Sequence, residues 1–393
     1  MKTITLFTIL FFLIASYGCL QNPGSSKSNK ELEVANLEQK KLDLRMKREF
    51  LELCDSSFMD VIAQTKVTER LGARGFYWDS YAVRALCVGY DMTGKKEYLE
   101  ACKLWSERMI EFQEQMIPEG AYYMLYGRKP GEKEGNWFSA DCSSIALGVL
   151  ATAARCSDPK ETERLLNSVK SFSSLVSNNL VKKSGGVSDG YWPASDDEWW
   201  CSSGIYGSLV FQLYKETGDE SYLKLGLGTI DWINQIDFQT VAVHFPGKEI
   251  IPVVILYCLE AYSAAFPYLD KDSERYKLAM AQWNNAFEWM KENQQGQYGM
   301  DYVHQWGSKF GGLPFHMYHY ADFVPGNDSL VILGDQELNY CMEIIKNPEL
   351  SSRMGEPEFY DQLDQLAIFT MFSYTQRVSP GTIYRTSNEP LNR

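Results

Sequence analysis

The chain has 393 residues, a net charge of −13 and 14% aromatic content, including ten Trp and twenty-four Tyr. That acidity excludes a nucleic-acid-binding protein, which presents a basic face. It also gives no long-range attraction for an acidic polysaccharide, so local cations would have to hold such a substrate. The aromatic surplus suits sugar-stacking surfaces, although a large core absorbs most rings in any fold of this size.

Lys2, the apolar run over residues 6–15 and the small-residue stretch Ser16-Tyr17-Gly18 have the anatomy of a secretory signal ending before Cys19. The run is too short to span a bilayer convincingly. Cys19 after Gly18 resembles a lipoprotein signal, which implies lipidation of Cys19 and a periplasmic, outer-membrane or cell-surface location; simple secretion is the alternative. Residues 21–30 (QNPGSSKSNK) suit a flexible tether. The expected organisation is a signal over 1–18, a tether over 19–40, one catalytic domain over 41–378 and a C-terminal tail over 379–393. No later Pro/Gly/Ser-rich run divides the domain.

Helical periodicity dominates. An N-terminal helix is expected over residues 42–64. Three uniformly apolar segments follow, at 81–90, 144–154 and 205–214, and each leads through a tight turn into an amphipathic helix. Apolar positions Tyr98, Ala101, Trp105, Met109 and Phe112 mark the first amphipathic face; Leu165, Leu166, Val169, Phe172, Leu175 and Val176 mark the second; Leu223, Leu227, Ile230 and Ile233 mark the third. Two turns match in sequence: Tyr90-Asp-Met-Thr-Gly94 and Tyr214-Lys-Glu-Thr-Gly218. Each glycine falls where a helix C-terminus takes left-handed backbone. A fourth pair occupies residues 253–266 and 272–290, and residues 333–345 and 358–374 are further helical candidates. An inner-helix, outer-helix unit recurring about every 55–65 residues means stacked supersecondary units around a shared core. The fold expected is an all-α, six-hairpin (α/α)6 toroid; an open solenoid is the alternative.

Loops entering the inner helices would line the mouth of such a ring. They cover residues 72–79 (GARGFYWD), 120–141, 185–200 (GGVSDGYWPASDDEWW) and 293–322, and all combine rings with ionisable groups. Asp79 and Asp141 stand out as catalytic carboxylates because each opens an inner helix beside Trp78 or Trp137. Aspartate is also a favoured helix cap, so capping competes with catalysis at both. A helix N-terminus favours the ionised carboxylate of a base or nucleophile, whereas burial against rings favours a general acid. The run Asp196-Asp197-Glu198 before Trp199-Trp200 is a second candidate, against a solvated loop or a cap. Substrate contacts are expected from Trp78, Arg128, Asn136, Trp137, Trp192, Asp197, Trp200, His304, Trp306, His316 and His319. His244 is isolated and reads as structural. His316 and His319 are the one close histidine pair, and no further ligand has metal-site spacing, so neither metal nor cofactor is expected. The eight cysteines after Cys19 form no CxxC pair and read mainly as small buried hydrophobes.

The stretch Trp78-Asp79-Ser-Tyr-Ala-Val-Arg-Ala-Leu-Cys-Val-Gly-Tyr90-Asp-Met-Thr-Gly94 resembles the first hairpin of unsaturated glycuronyl hydrolases, glycoside hydrolase families 88 and 105. Asp141-Cys142, with Asp158 at the next turn, resembles that family's second catalytic aspartate and its helix. The resemblance implies a six-hairpin toroid in which Asp79 and Asp141 protonate the C4=C5 bond of a terminal unsaturated uronate and activate water. It is clearest over residues 76–236. The third inner helix departs from the pattern, opening on Trp200-Cys-Ser-Ser, and residues 247–254 lack the family's later Trp/Arg-rich motif. The expected function is hydrolysis of oligosaccharides at the membrane or beyond it. A polysaccharide lyase using Tyr or His with Asn136 and Arg128 is the runner-up, followed by a sugar epimerase and a non-catalytic glycan-binding lipoprotein.

Overall fold

A computed structural model describes residues 29–66, 75–124, 137–190, 197–238, 251–293, 307–347, 349 and 362–390. The chain divides into two compact units at Arg45/Met46. In the first unit the described residues are helical, and those from Glu33 to Lys40 are exposed. This helix, α1 (Asn29–Gln64), begins inside the stretch expected to be a flexible tether. The reason is local: residues 31–42 are rich in Glu, Leu, Lys and Gln, which lose little rotamer freedom in a helix, and the Gly/Ser-rich tract ends at Ser28.

The second unit contains the rest of α1 and eleven further helices among the described residues. In chain order these are α2 (Phe76–Thr93), α3 (Lys96–Gln113), α4 (Ser139–Ala153), α5 (Pro159–Asn179), α6 (Trp200–Thr217) and α7 (Glu220–Ile233). They continue as α8 (Ile251–Ala265), α9 (Glu274–Asn293), α10 (Leu313–Phe323), α11 (Asp328–Lys346) and α12 (Gln362–Val378). The even-numbered helices pack in a closed ring, α2 on α4, α4 on α6, α6 on α8, α8 on α10, α10 on α12 and α12 back on α2. The odd-numbered helices lie outside it. The result is the six-hairpin toroid, and an open solenoid is ruled out by the α12–α2 contact.

Inner and outer helices differ as burial demands. Every residue of α2 from Phe76 to Tyr90 is buried, whereas α5 buries Leu165, Val169, Phe172 and Val176 on one stripe. Small residues bring the inner helices close: a Cβ on Gly204 of α6 would lie 2.3 Å from the Tyr257 carbonyl oxygen of α8. The final outer position is filled by α1, where Tyr374 of α12 donates to Glu49 at 3.0 Å and Tyr98 of α3 donates to Asp55 at 2.5 Å.

The ring is not hollow. Arg84 of α2 and Glu260 of α8, on opposite sides of the ring, meet across the axis at 3.3 Å with side chains only 2% and 1% exposed. The guanidinium also lies 4.8 Å from the Phe372 ring and 5.3 Å from the Tyr81 ring.

All the turns from an inner to the next outer helix are described, and they form one face of the ring. The undescribed internal segments all fall between an outer helix and the next inner one. Residues 379–390, expected to be a tail, are docked on the turn face: Arg155 donates to the Thr382 carbonyl at 2.8 Å, Arg385 reaches Asp91 at 3.6 Å and Ser387 N–H donates to Glu216 at 2.9 Å. Six of the eight cysteines after Cys19 are buried and all eight are free thiols.

Candidate active site at the mouth of the toroid

Asp141 occupies the third residue of α4, whose cap is Phe138, and Asp79 the fourth residue of α2, whose cap is Gly75. Neither aspartate is therefore the cap itself, which was the reading that competed with catalysis. Both sit in a first turn, where free backbone N–H groups favour negative charge.

The two helices turn their aspartates differently. On α2, Tyr77, Tyr81 and Arg84 follow the i, i+4, i+7 spacing of one helix face, and Arg84 shows that this face meets the axis. Asp79 lies two residues from Tyr77, about 200° around the helix, and is fully buried. Asp141 is one turn above Ser144, whose hydroxyl faces Tyr81 in the axis, and it remains partly accessible.

Around Asp141 the structure gathers a ring of tyrosine and tryptophan. Tyr257 of α8 is held well above its ordinary phenol range by burial, then by the neighbouring Tyr81, Tyr77, Asp141 and Cys201. Those five groups therefore lie in one neighbourhood. Trp200 stacks on Tyr257 at 6.3 Å and meets Trp199 at 5.4 Å with the rings tilted by 31°. Trp137 is buried beneath Gly190, where a Cβ would meet its ring at 3.1 Å.

The backbone of Asp189 is bound to the helix end that carries Asp141, and sequence reasoning passed over this residue. Its backbone carbonyl accepts from the Ser139 N–H at 2.7 Å, at the first residue of α4. Ser139 Oγ also donates to the Ser188 carbonyl at 2.7 Å. Residues 188–190 are thereby pinned to the helix end that carries Asp141. Burial raises the Asp189 carboxyl to about 6, which keeps it protonated in weak acid. Its flanking glycines and serine mark it only as a turn residue in sequence; the sole cue was its place within an aromatic-rich loop.

Other expected residues are elsewhere. Trp78 is 1% exposed and lies edge-on to Tyr77 at 5.9 Å, so it belongs to the core. Asp197 is exposed on the loop before α6. His316 and His319 are not on a mouth loop: residues 307–323 are helical, and both imidazoles are buried well inside the ring. His316 Nδ1 pairs with Ser263 Oγ at 3.0 Å, and burial holds its pKa well below the ordinary range. Burial lowers His319 to about 3. Cys19, Arg128, Asn136, Trp192, Asp196, His244, His304 and Trp306 lie outside the described residues.

No protein-family model and no curated protein matches the chain. Solved structures do. A family 76 glycoside hydrolase (mannosidase) from Bacteroides thetaiotaomicron aligns with TM-score 0.55 and 13% identity, over 84% of this chain and 98% of that one. A GH76 α-mannanase from the same species gives 0.55 and 13%, over 84% and 95%. The GH76A α-1,6-mannanase of a Salegentibacter species gives 0.53 and 14%, over 84% and 100%. This chain shares their fold, and its similarity to them extends over nearly their full length.

Proposed function

We propose that the chain is an exported glycoside hydrolase that binds saccharide at the mouth of the toroid. Asp141 serves as the ionised carboxylate and Asp189 as the proton donor. The observation that carries this reading is that the Asp189 backbone is bound to the first residue of α4, the helix whose first turn holds Asp141, while burial raises the Asp189 carboxyl to about 6. Glycoside hydrolysis needs such a division, an acid for the leaving oxygen and a carboxylate for the anomeric carbon or its attacking water. Trp199, half-buried beside the buried Trp200, supplies an apolar face for sugar C–H surfaces. Asp79 is assigned a supporting role in the first turn of α2, away from the axial face.

The substrate favoured is a neutral glycan of the α-mannan type. The structural neighbours are a mannosidase and mannanases. The described mouth residues are acids, phenols and indoles, which suit a neutral sugar better than a uronate. Hydrolysis of unsaturated uronides is the second reading, favoured by the residues 78–94 that resemble the first hairpin of unsaturated glycuronyl hydrolases. The leader and Cys19 support export and lipid attachment. Metabolic labelling with a fatty acid tests the anchor, which is abandoned if Cys19→Ala takes up as much label as the parent.

The deciding assay compares α-1,6-mannan with unsaturated uronic disaccharides, followed respectively by reducing ends and by loss of the conjugated-uronate absorbance. On the cleaved substrate, Asp141→Asn and Asp189→Asn each lower kcat by about 10²–10⁴-fold. The parent's activity declines as pH rises through about 6, where Asp189 loses its proton. Wild-type turnover in both variants rules out this pair. Cleavage of uronides alone moves the assignment to the second reading.

A further inference from the structure

The face of the toroid opposite the mouth carries a cleft of about 390 Å³ between the C-terminal ends of α6, α8, α10 and α12. Its size is that of a small-ligand site, and the mouth chemistry makes no use of it. One wall is a fixed aromatic platform. Phe211 and Tyr268 lie parallel, 3° apart in plane with centroids 6.0 Å apart, and Tyr214 braces Tyr268 edge-on at 5.1 Å. Tyr268 itself is half-buried, so its ring retains surface within the cleft it lines.

The polar side of the cleft is prepared as well. Asp322 accepts from Gln376 Nε2 at 2.8 Å through Oδ2, which fixes the carboxylate plane and leaves Oδ1 for a further donor. Asp322 is exposed at the rim of the cleft, and the partial burial of its carboxyl pushes the pKa up, against the Gln376 hydrogen bond; a partly desolvated carboxylate gains from accepting hydroxyl hydrogens. His319 and Tyr384 close the floor. The Tyr384 ring is partly accessible, while its hydroxyl end is buried towards Ser263, Arg84 and Glu260.

Charge narrows the occupant. Lys215 lines the cleft, but its ammonium is engaged by the Tyr384 carbonyl at 2.8 Å and by Glu389 at 2.8 Å. His319, with its pKa near 3, is neutral. An anion meets no available cation among the described residues, and a purely apolar ligand would bury Asp322 Oδ1 without a partner. A ring with one C–H face and a hydroxyl edge satisfies both walls. We propose that this cleft is a second saccharide site, taking a single neutral pyranose unit between Tyr268 and Asp322. It is separate from the mouth and stands or falls independently of the reaction proposed there.

The test is ligand-observed NMR titration of the full chain with mannose, glucose, galactose and N-acetylglucosamine, on the parent and on Tyr268→Ala, Asp322→Asn and Trp200→Ala. At least one sugar is expected to bind saturably in the millimolar range. That binding should weaken about ten-fold or more in both cleft variants, persist in Trp200→Ala, and appear between Tyr268 and Asp322 in crystals soaked with the sugar. Asp322→Asn keeps the side-chain volume, so it reports even if Tyr268→Ala fails to fold. Absence of saturable sugar binding overturns the proposal, as does binding unaffected by Asp322→Asn. Displacement of bound sugar by indole or a fatty acid, with either binding the cleft more tightly than any sugar, also overturns it.

Discussion

The two ends of the toroid are built from the same six inner helices but by different rules. At the turn face, inner helices pass to outer ones through short connections held by backbone and threonine hydrogen bonds, and residues 379–390 dock across them with ion pairs and carbonyl contacts. At the mouth the connections are longer; Asp141, Tyr77, Trp200 and Tyr257 are neighbours there, and the Asp189 backbone is bound to the end of α4. A carboxyl raised by burial at the mouth is tolerated because the turn face and the axial core hold the helices in place. The stabilising contacts and the proposed chemistry thus lie at opposite ends, with Arg84 and Glu260 between them.

That division is tested first at the ion pair, where the largest stability effect is expected. Glu260→Gln leaves the Arg84 charge buried without its counter-charge, and breaking such a pair costs about 3–5 kcal/mol. Urea unfolding measures it. The paired replacement Arg84→Met/Glu260→Leu restores most of the loss, because an apolar pair of similar size avoids the desolvation of both ions. A single variant as stable as the parent would mean that solvent reaches the axis and the two ends are not separated.

A smaller effect, of opposite sign, is expected at the mouth. Burial raises Asp189 from 3.8 to about 6, so the folded state disfavours its ionised form. Stability from this group falls as pH rises from about 4 to 6, and the full penalty persists above that range. Asp189→Asn removes the penalty. Its melting temperature should match the parent at pH 4 and exceed it at pH 7, while activity is lost. The gain stays below the ion-pair effect, because Asp189 is partly solvated and solvent screens the shift. Equal melting temperatures at pH 7 would show that Asp189 is not strained, and would remove the physical basis for its role as the acid.

How much of this was legible in the sequence depended on the kind of signal. The hairpins were readable because period and turn chemistry agree: a uniformly apolar segment, a Thr-Gly stop and an amphipathic segment can form only inner helix, turn and outer helix. The helix over residues 42–64 was readable as a helix, and its outer place follows from its packing on α12 and α3. Residues 307–323 were not, since Gly311, Gly312, Pro314 and a cluster of rings and histidines look like a loop until the ring around them buries every side. Asp79 and Asp141 look alike in sequence; they part only through helical phase, set by which face of α2 meets Glu260. Asp189 is invisible to periodicity because backbone bonds to Ser139, distant in sequence, place it.

The smallest predicted effect tests the turn face in its purest form. Gly94 and Gly218 share φ 71°, and each N–H donates at 2.7 Å, to the Tyr90 and Tyr214 carbonyls respectively. Thr93 and Thr217 repeat the match, donating at 2.7 Å to the Gly89 and Leu213 carbonyls. A Cβ at either glycine would meet nothing within 4 Å, so alanine adds no clash. What remains is the left-handed backbone, which alanine adopts at a cost of about 1 kcal/mol. Gly94→Ala and Gly218→Ala should therefore destabilise by about the same amount, roughly 1 kcal/mol each. Because the two sites are independent, their effects should add in the double variant, with kcat unchanged. Unequal losses would show that the two turns are alike in sequence and geometry but not in energy. A fall in kcat would show that the turn face is coupled to the mouth through the buried axis.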